Sequence, residues 1–452
     1  MRFVTRWLGF ALLVSSYAAV QARVYLGNES LAMRDFGTLR GKRVGLLTNP
    51  SGVDGRGRSV IDILHKSPKV NLVALFGAEH GVDGRVPAGK EFPNSTHRRT
   101  GLPIYSLYGP GPVRKPTPGM LKKIDCLVYD IQDTGARSYT FISTMGLCME
   151  ECGKAGVEFV VLDRPNPLGG KRVEGLILNP RFKSLVGQWK IPYVYGMTAG
   201  ELAYMISSEG WISHRPKISI IKMKGWTRSM TWRGTGLKWV PTSPNIPHGD
   251  SPLHYVSTGV LGELGAGSGL SIGIGEGMPF ECVASTWMDA TGIALHLNNR
   301  RLPGVRFEPI RFKSRRVKNR TYTGVRIRFT NPGTAPLMAQ ERFAAIEAAQ
   351  QRDKAQYRNV NRTVTLSYCE LFAEEFSDLL SIVREKRPHG NTATVEHQAS
   401  PKTLVPPTAQ EAAPAAAEAS SGGSSMAKRM FALKNKAAGG TPASAQNAFG
   451  SG

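Results

Sequence analysis

Between residues 41 and 223 the chain alternates short apolar runs with amphipathic stretches. GKRVGLLTN (41–49), NLVALF (71–76), LPIYSLYG (102–109), CLVYDI (126–131), EFVVLD (158–163) and ISIIKM (218–223) are of strand length and largely apolar. RSVIDILHKS (58–67), PGMLKKI (118–124), YTFISTMGLCMEECGKAG (139–156) and TAGELAYMISSEGW (198–211) carry the mixed pattern of helices with one buried face. Apolar strands separated by amphipathic helices predict a mostly parallel sheet covered on both faces. The fold class is therefore α/β, a Rossmann-like, doubly wound domain over residues 23–245.

The grammar changes at PTSPNIPHGDSP (241–252), where prolines break regular structure. A helical stretch near HYVSTGVLGEL (254–264) follows. Strand-like runs come next, at STWMDATGIALHL (285–297), VRFEPIRFK (305–313) and TYTGVRIRFT (321–330). Two further helices are expected at 337–351 and 368–385, giving a smaller α+β auxiliary domain over 246–386. Residues 387–452 are rich in Pro, Ala, Ser, Gly and Thr and read as a disordered tail. At the other end, MRFVTR carries two arginines, an apolar run follows, and VQA supplies small residues. Residues 1–22 thus read as a cleaved signal peptide, too short to span a membrane. The mature protein is expected to be exported, periplasmic or extracellular, with no transmembrane segment.

The formal charge of +24 ordinarily suggests nucleic acid. A signal peptide argues against that partner and favours anionic cell-envelope polymers, with a merely basic, solvated surface as the plain alternative. The densest block is Arg300, Arg301, Arg306, Arg311, Lys313, Arg315, Arg316, Lys318 and Arg320. Five cysteines are too few and too poorly spaced for a disulfide framework: Cys126 sits in an apolar strand, and Cys148 and Cys152 lie one helical turn apart.

Parallel sheets bind ligands beyond the carboxyl ends of their strands. Glu79, with His80, follows the strand at 71–76. Asp130 and Asp133 close the strand at 126–131, and Asp163, with Arg164 and Asn166, closes the strand at 158–163. One such acid would be read as a helix cap or a loop salt bridge. Acids at three tips of one edge repel each other unless something binds them. The glycines of LFGAEHGVDG (75–84) suggest space cleared for a ligand at Glu79. No G-x-G-x-x-G opens a helix after the first strand, and there is no G-K-[ST], H-E-x-x-H or G-x-S-x-G. His80 and Asp83 lack a paired ligand cluster, so neither metal nor cofactor is expected. Carboxylate chemistry on a sugar remains, in which a proton donor works with a second carboxylate about 5–5.5 Å or 6.5–9.5 Å away. Tyr139, Tyr195 and Trp232 are candidates to stack on a sugar ring, or else core residues.

FGAEHG (76–81), TGLPIYSLYG (100–109), DIQDTGARSYTF (130–141), LDRPNPLGG (162–170), VEGLIL (173–178), IPYVYGMTAGELA (191–203) and PTSPNIP (241–247) together resemble the NamZ-type exo-β-N-acetylmuramidases, formerly a domain of unknown function. The likeness runs over residues 41–281 and more weakly to 384. It implies a Rossmann-like catalytic domain, an auxiliary domain and a cleft between them. It also implies a peptidoglycan glycosidase that releases N-acetylmuramic acid from the non-reducing ends of peptidoglycan fragments or muropeptides. Glu79 of the E-H-G motif would be the catalytic acid, with Asp130, Asp133 and Asp163 as candidates for a second carboxylate or for orienting hydroxyls. Arg137 or Arg164 would pair with the lactyl carboxylate. His80, Tyr139, Asn166, Asn245 and Glu281 complete the expected binding set. The stretch 263–281 departs from the family pattern: Gly269 and Ile274 occupy its Asn and Arg positions. A peptidoglycan-binding protein built on a catalytically altered hydrolase is the alternative reading.

Overall fold

A computed structural model describes residues 23–109, 114–263 and 269–338. Its central sheet contains β1 (Arg43–Thr48), β2 (Asn71–Gly77), β3 (Ser95–Thr96), β4 (Pro103–Ser106), β5 (Cys126–Asp130), β6 (Glu158–Leu162) and β7 (Ile218–Ile221). The strands lie in the order β3-β4-β2-β1-β5-β6-β7. All neighbours pair parallel except β3, which runs antiparallel to β4 at the edge. From β1 the chain winds outward through β2 to β4, then returns to β5 and winds the other way. The loops leaving β1 and β5 therefore diverge and open a crevice at the sheet's carboxyl edge.

Strand alternation sends Leu127 and Tyr129 of β5 to one face and Cys126, Val128 and Asp130 to the other. The first face is covered by α3 (Pro118–Leu121), α4 (Phe141–Ala155) and α5 (Ala199–Ser208), the second by α1 (Gly27–Met33) and α2 (Val60–Lys66). The seven-residue α1 carries no strong periodic pattern. It forms because Gly27 lets its backbone pass against β6, where an added Cβ would lie 2.2 Å from the Asp163 nitrogen.

A second, smaller domain holds α6 (Ser251–Glu263), β8 (Cys282–Ser285), α7 (Ala290–Asn299), β9 (Val305–Lys313) and β10 (Thr321–Phe329). Its strands form an antiparallel sheet in the order β8-β10-β9. One expectation is corrected here. The strand-like run 285–297 is strand only at its first residue, and from Ala290 onward it is α7. Asp289 caps that helix by accepting from the Gly292 nitrogen at 3.0 Å, and Ile293, Ala294 and Leu297 form its buried stripe. The Asp cap outweighs the strand-like look of STWM.

Cys126, Cys148, Cys152 and Cys282 are buried free thiols, and burial pushes Cys126 and Cys282 up to about 12. No described helix is long and apolar enough to cross a membrane. Residues 1–22, most of the helix expected at 337–351, the helix at 368–385 and the tail lie outside the described residues.

Candidate active site

Glu79 sits in the loop after β2. His80 and Gly81 both adopt left-handed backbone there, with φ of 71° and 74°, so the chain reverses directly beyond the carboxylate. The turn is closed by the Val86 nitrogen donating to the His80 carbonyl at 3.1 Å. The His80 ring donates from Nδ1 to the Val86 carbonyl oxygen at 2.8 Å, which fixes the ring's orientation. The loop's glycines do not simply clear space. Gly84, at φ of 72°, packs so closely on Pro50 that an added Cβ would lie 2.7 Å from its Cγ.

The Glu79 carboxylate is held from three segments. Oε1 accepts from the Gly89 nitrogen at 2.8 Å. Oε2 accepts from Thr140 Oγ1 at 2.7 Å and, more weakly, from the Tyr108 hydroxyl at 3.4 Å. Thr140 occupies the N-cap of α4 yet makes no capping bond to its own helix. Its hydroxyl turns to Glu79 instead, which places that carboxylate at the positive end of the helix dipole. Burial, reinforced by the Glu79 charge, pushes the Tyr108 phenol well up, so it remains a donor. Arg114 lies over the Tyr108 ring, 4.3 Å from its centroid.

Asp133 follows β5. Its Oδ2 accepts from the Tyr195 hydroxyl and from the Gly135 nitrogen at 2.7 Å. Its Oδ1 is buried without a hydrogen-bond partner among the described residues. Burial outweighs these donors and pushes the carboxyl up to about 7. An acid raised from 3.8 binds a proton in the native state that the unfolded chain has lost, so stability falls as pH rises toward 7. Burial also raises Asp163, to about 6, and lowers His254, to about 4, but both effects are largely complete below pH 6.5. Between pH 6.5 and pH 8 the Asp133 share amounts to about 1 kcal/mol. Thermal unfolding at the two pH values should show a smaller decline for Asp133→Asn than for the native protein. Equal declines would mean that Asp133 ionises normally.

The other strand-tip acids have internal partners, which corrects the expectation that their crowding requires a ligand. Asp130 receives Arg164 Nε at 2.5 Å on Oδ1 and Asn28 Nδ2 at 3.0 Å on Oδ2, and it is wholly buried. Burial pushes its carboxyl up while the guanidinium pulls against it. Asp163 caps α5, accepting from Thr198 Oγ1 and the Gly200 nitrogen, each at 2.9 Å. Arg164 also donates to the Val53 carbonyl at 2.8 Å. Arg137 donates to the carbonyls of Leu176 and Ile191 at 2.7 and 2.9 Å, with its guanidinium 5.6 Å from the Tyr193 ring centroid. Both arginines are buried and spend these donors within the fold. Asn166 bridges its own loop to Met197, donating to that carbonyl at 2.9 Å.

The aromatic candidates are packing residues. Tyr195 is buried on Asp133, and Trp232 is buried edge-on against Trp239. Tyr139 packs between Phe141 and Tyr255, with its hydroxyl 2.7 Å from Thr242 Oγ1. Together with Asn49 Nδ2, which donates to the Thr242 carbonyl at 3.3 Å, that bond ties the 241–247 segment to the strand tips. Asn245 of this segment is half-buried, and its side chain makes no hydrogen bond among the described residues. Glu281 does not face the site's carboxylates: it pairs with Arg326 inside the second domain. Ile274 packs against that domain's apolar core.

Family models of the exo-β-N-acetylmuramidase NamZ match the chain, the N-terminal one over residues 44–250 and the C-terminal one over 253–380. The chain belongs to the NamZ family. It is 43% identical over 294 residues to the peptidoglycan β-N-acetylmuramidase NamZ of Bacillus subtilis, covering 65% of this chain and 69% of that protein. A solved DUF1343 family protein of Bacteroides fragilis has 43% identity and a TM-score of 0.73, over 80% of this chain and 94% of its own. A second from the same organism has 27% identity and a TM-score of 0.61, over 81% and 92%. In this NamZ-family chain the residues that hold Glu79, namely Gly89, Tyr108 and Thr140, were not singled out from sequence. Tyr108 and Thr140 do fall within blocks that carry the family likeness, SLYG and SYTF.

Proposed function

We propose that this NamZ-family protein is an exported glycoside hydrolase of peptidoglycan that releases N-acetylmuramic acid from the non-reducing ends of glycan fragments. The observation that carries the reading is the Glu79 cradle. A carboxylate at the sheet's ligand-binding edge is fixed by Gly89, Thr140 and Tyr108, while Asp130 and Asp163 are committed to the fold. Glu79 acts as general acid, protonating the glycosidic oxygen as the bond to the leaving sugar breaks. The anomeric carbon ends bonded to the oxygen of a water whose proton passes to a carboxylate. Asp133 is assigned as the partner carboxylate, because it alone of the three aspartates keeps an oxygen without a hydrogen-bond donor. His80 Nε2 and the Asn245 amide are assigned to sugar hydroxyls. Export is supported by the signal-like residues 1–22 and by the place where the polymer is found.

The mode of attack is tested by digesting soluble glycan fragments and following their size by mass spectrometry. Loss of one terminal muramic acid from each chain that begins with it is expected, with the rest of the chain left intact. A rapid fall to mid-length products would overturn the exo-acting reading. Tight binding with no release would select the binding-protein alternative, which the changed positions Gly269 and Ile274 favour.

A further inference from the structure

We infer that the hairpin joining β9 and β10 is a docking surface for the intact, carboxylate-bearing peptidoglycan polymer; this rests on the substrate reading above. From Pro309 to Arg328 the chain contains no acidic residue. Arg311, Lys313, Arg315, Arg316 and Lys318 are all exposed, and none forms an ion pair among the described residues. Surface cations are ordinarily interleaved with acids, so an unneutralised group on one hairpin is a field aimed at a polyanion.

The loop is also built, not loose. Ser314 Oγ accepts from the Arg316 and Val317 nitrogens at 3.1 and 3.0 Å and donates to Glu276 Oε1 at 2.7 Å. Glu276 Oε2 accepts from the Arg315 nitrogen at 2.6 Å. This glutamate is buried and bonds the hairpin's backbone and its serine, not the cationic heads. Asn319, at φ of 60°, turns the chain back to β10. The result is a fixed backbone that carries the exposed cationic side chains at the surface. Below it, Arg315 and Arg316 lie against Gly277 and Gly275, where added Cβ atoms would approach them to 2.8 and 2.4 Å. Those glycines belong to the same segment as Ile274, which packs into the core that Tyr139 also contacts. The hairpin is thereby joined through one packed segment to the Glu79 side of the molecule. Peptidoglycan peptides present free carboxylates at intervals, which guanidinium forks and ammonium groups pair with in a salt-sensitive way. Docking there would hold chain ends near the site and raise their local concentration.

The test is co-sedimentation of the full-length protein with purified sacculi, alongside hydrolysis of a small chromogenic β-muramide. Neutralising Lys313, Arg315, Arg316 and Lys318 to Gln should weaken sedimentation on the order of tenfold at low salt. Raising the salt should weaken the native protein similarly. Turnover of the small substrate should be unchanged. Neutralising the exposed Lys122 and Lys123 instead should leave sedimentation unaffected. Native-like sedimentation of the hairpin variant would overturn the inference, and so would release of native protein from sacculi by duplex DNA at equal charge. Failure of the native protein to turn over the small substrate, with the sedimentation difference intact, would support docking and overturn only the enzymatic reading.

Discussion

Glu79→Gln is expected to lower hydrolysis of a chromogenic β-muramide by about a hundredfold to ten-thousandfold, the usual weight of a lost general acid. The fold should survive. Gln has the same shape: its carbonyl can keep the Gly89 N–H bond, and its amide can donate to Thr140 Oγ1, whose hydroxyl works in either direction. Urea unfolding of the variant should therefore lie close to that of the native protein. This combination, large in rate and small in stability, separates a proton-transferring group from a structural one. A rate within a few-fold of native would remove Glu79 from the mechanism.

The reverse combination is expected at Asp130. Asp130→Asn removes the charge opposite Arg164, whose side chain is 4% exposed and cannot reach water. An uncompensated buried guanidinium costs about 3–5 kcal/mol, a large share of the roughly 5–15 kcal/mol that holds a domain together. Urea unfolding should show that loss, and activity per folded molecule should stay close to native. A variant with native stability but no turnover would return Asp130 to the chemistry and contradict its role as the ion-pair partner of Arg164.

The sheet was legible because its strands are apolar on both faces. CLVYDI alternates between two covered layers, with Leu127 buried on one face and Val128 on the other. The second domain was less legible. In STWMDATGIALHL the helix is declared by Asp289 and by the spacing of Ile293 and Leu297, and Thr286 and Trp287 mask both. At the site, sequence gave the residue types and the correct edge, but not the partners. Thr140 and Glu79 are 61 positions apart, and Arg164 and Asp130 are 34 apart. Which acid meets a guanidinium, which meets a helix start and which stays available is decided by the strand order, with β1 between β2 and β5. A threonine at the start of a long helix reads as a cap, and only the structure shows that Thr140 makes no capping bond and gives its hydroxyl to Glu79 instead.

The account stands on the claim that Glu79 drives release of a terminal muramic sugar. The most direct measurement offers the native protein and Glu79→Gln a defined disaccharide with N-acetylmuramic acid at its non-reducing end, and identifies the free monosaccharides by mass spectrometry. Release of N-acetylmuramic acid by the native protein, and almost none by the variant, is the predicted result. No release by the native protein, or equal release by both, would contradict it.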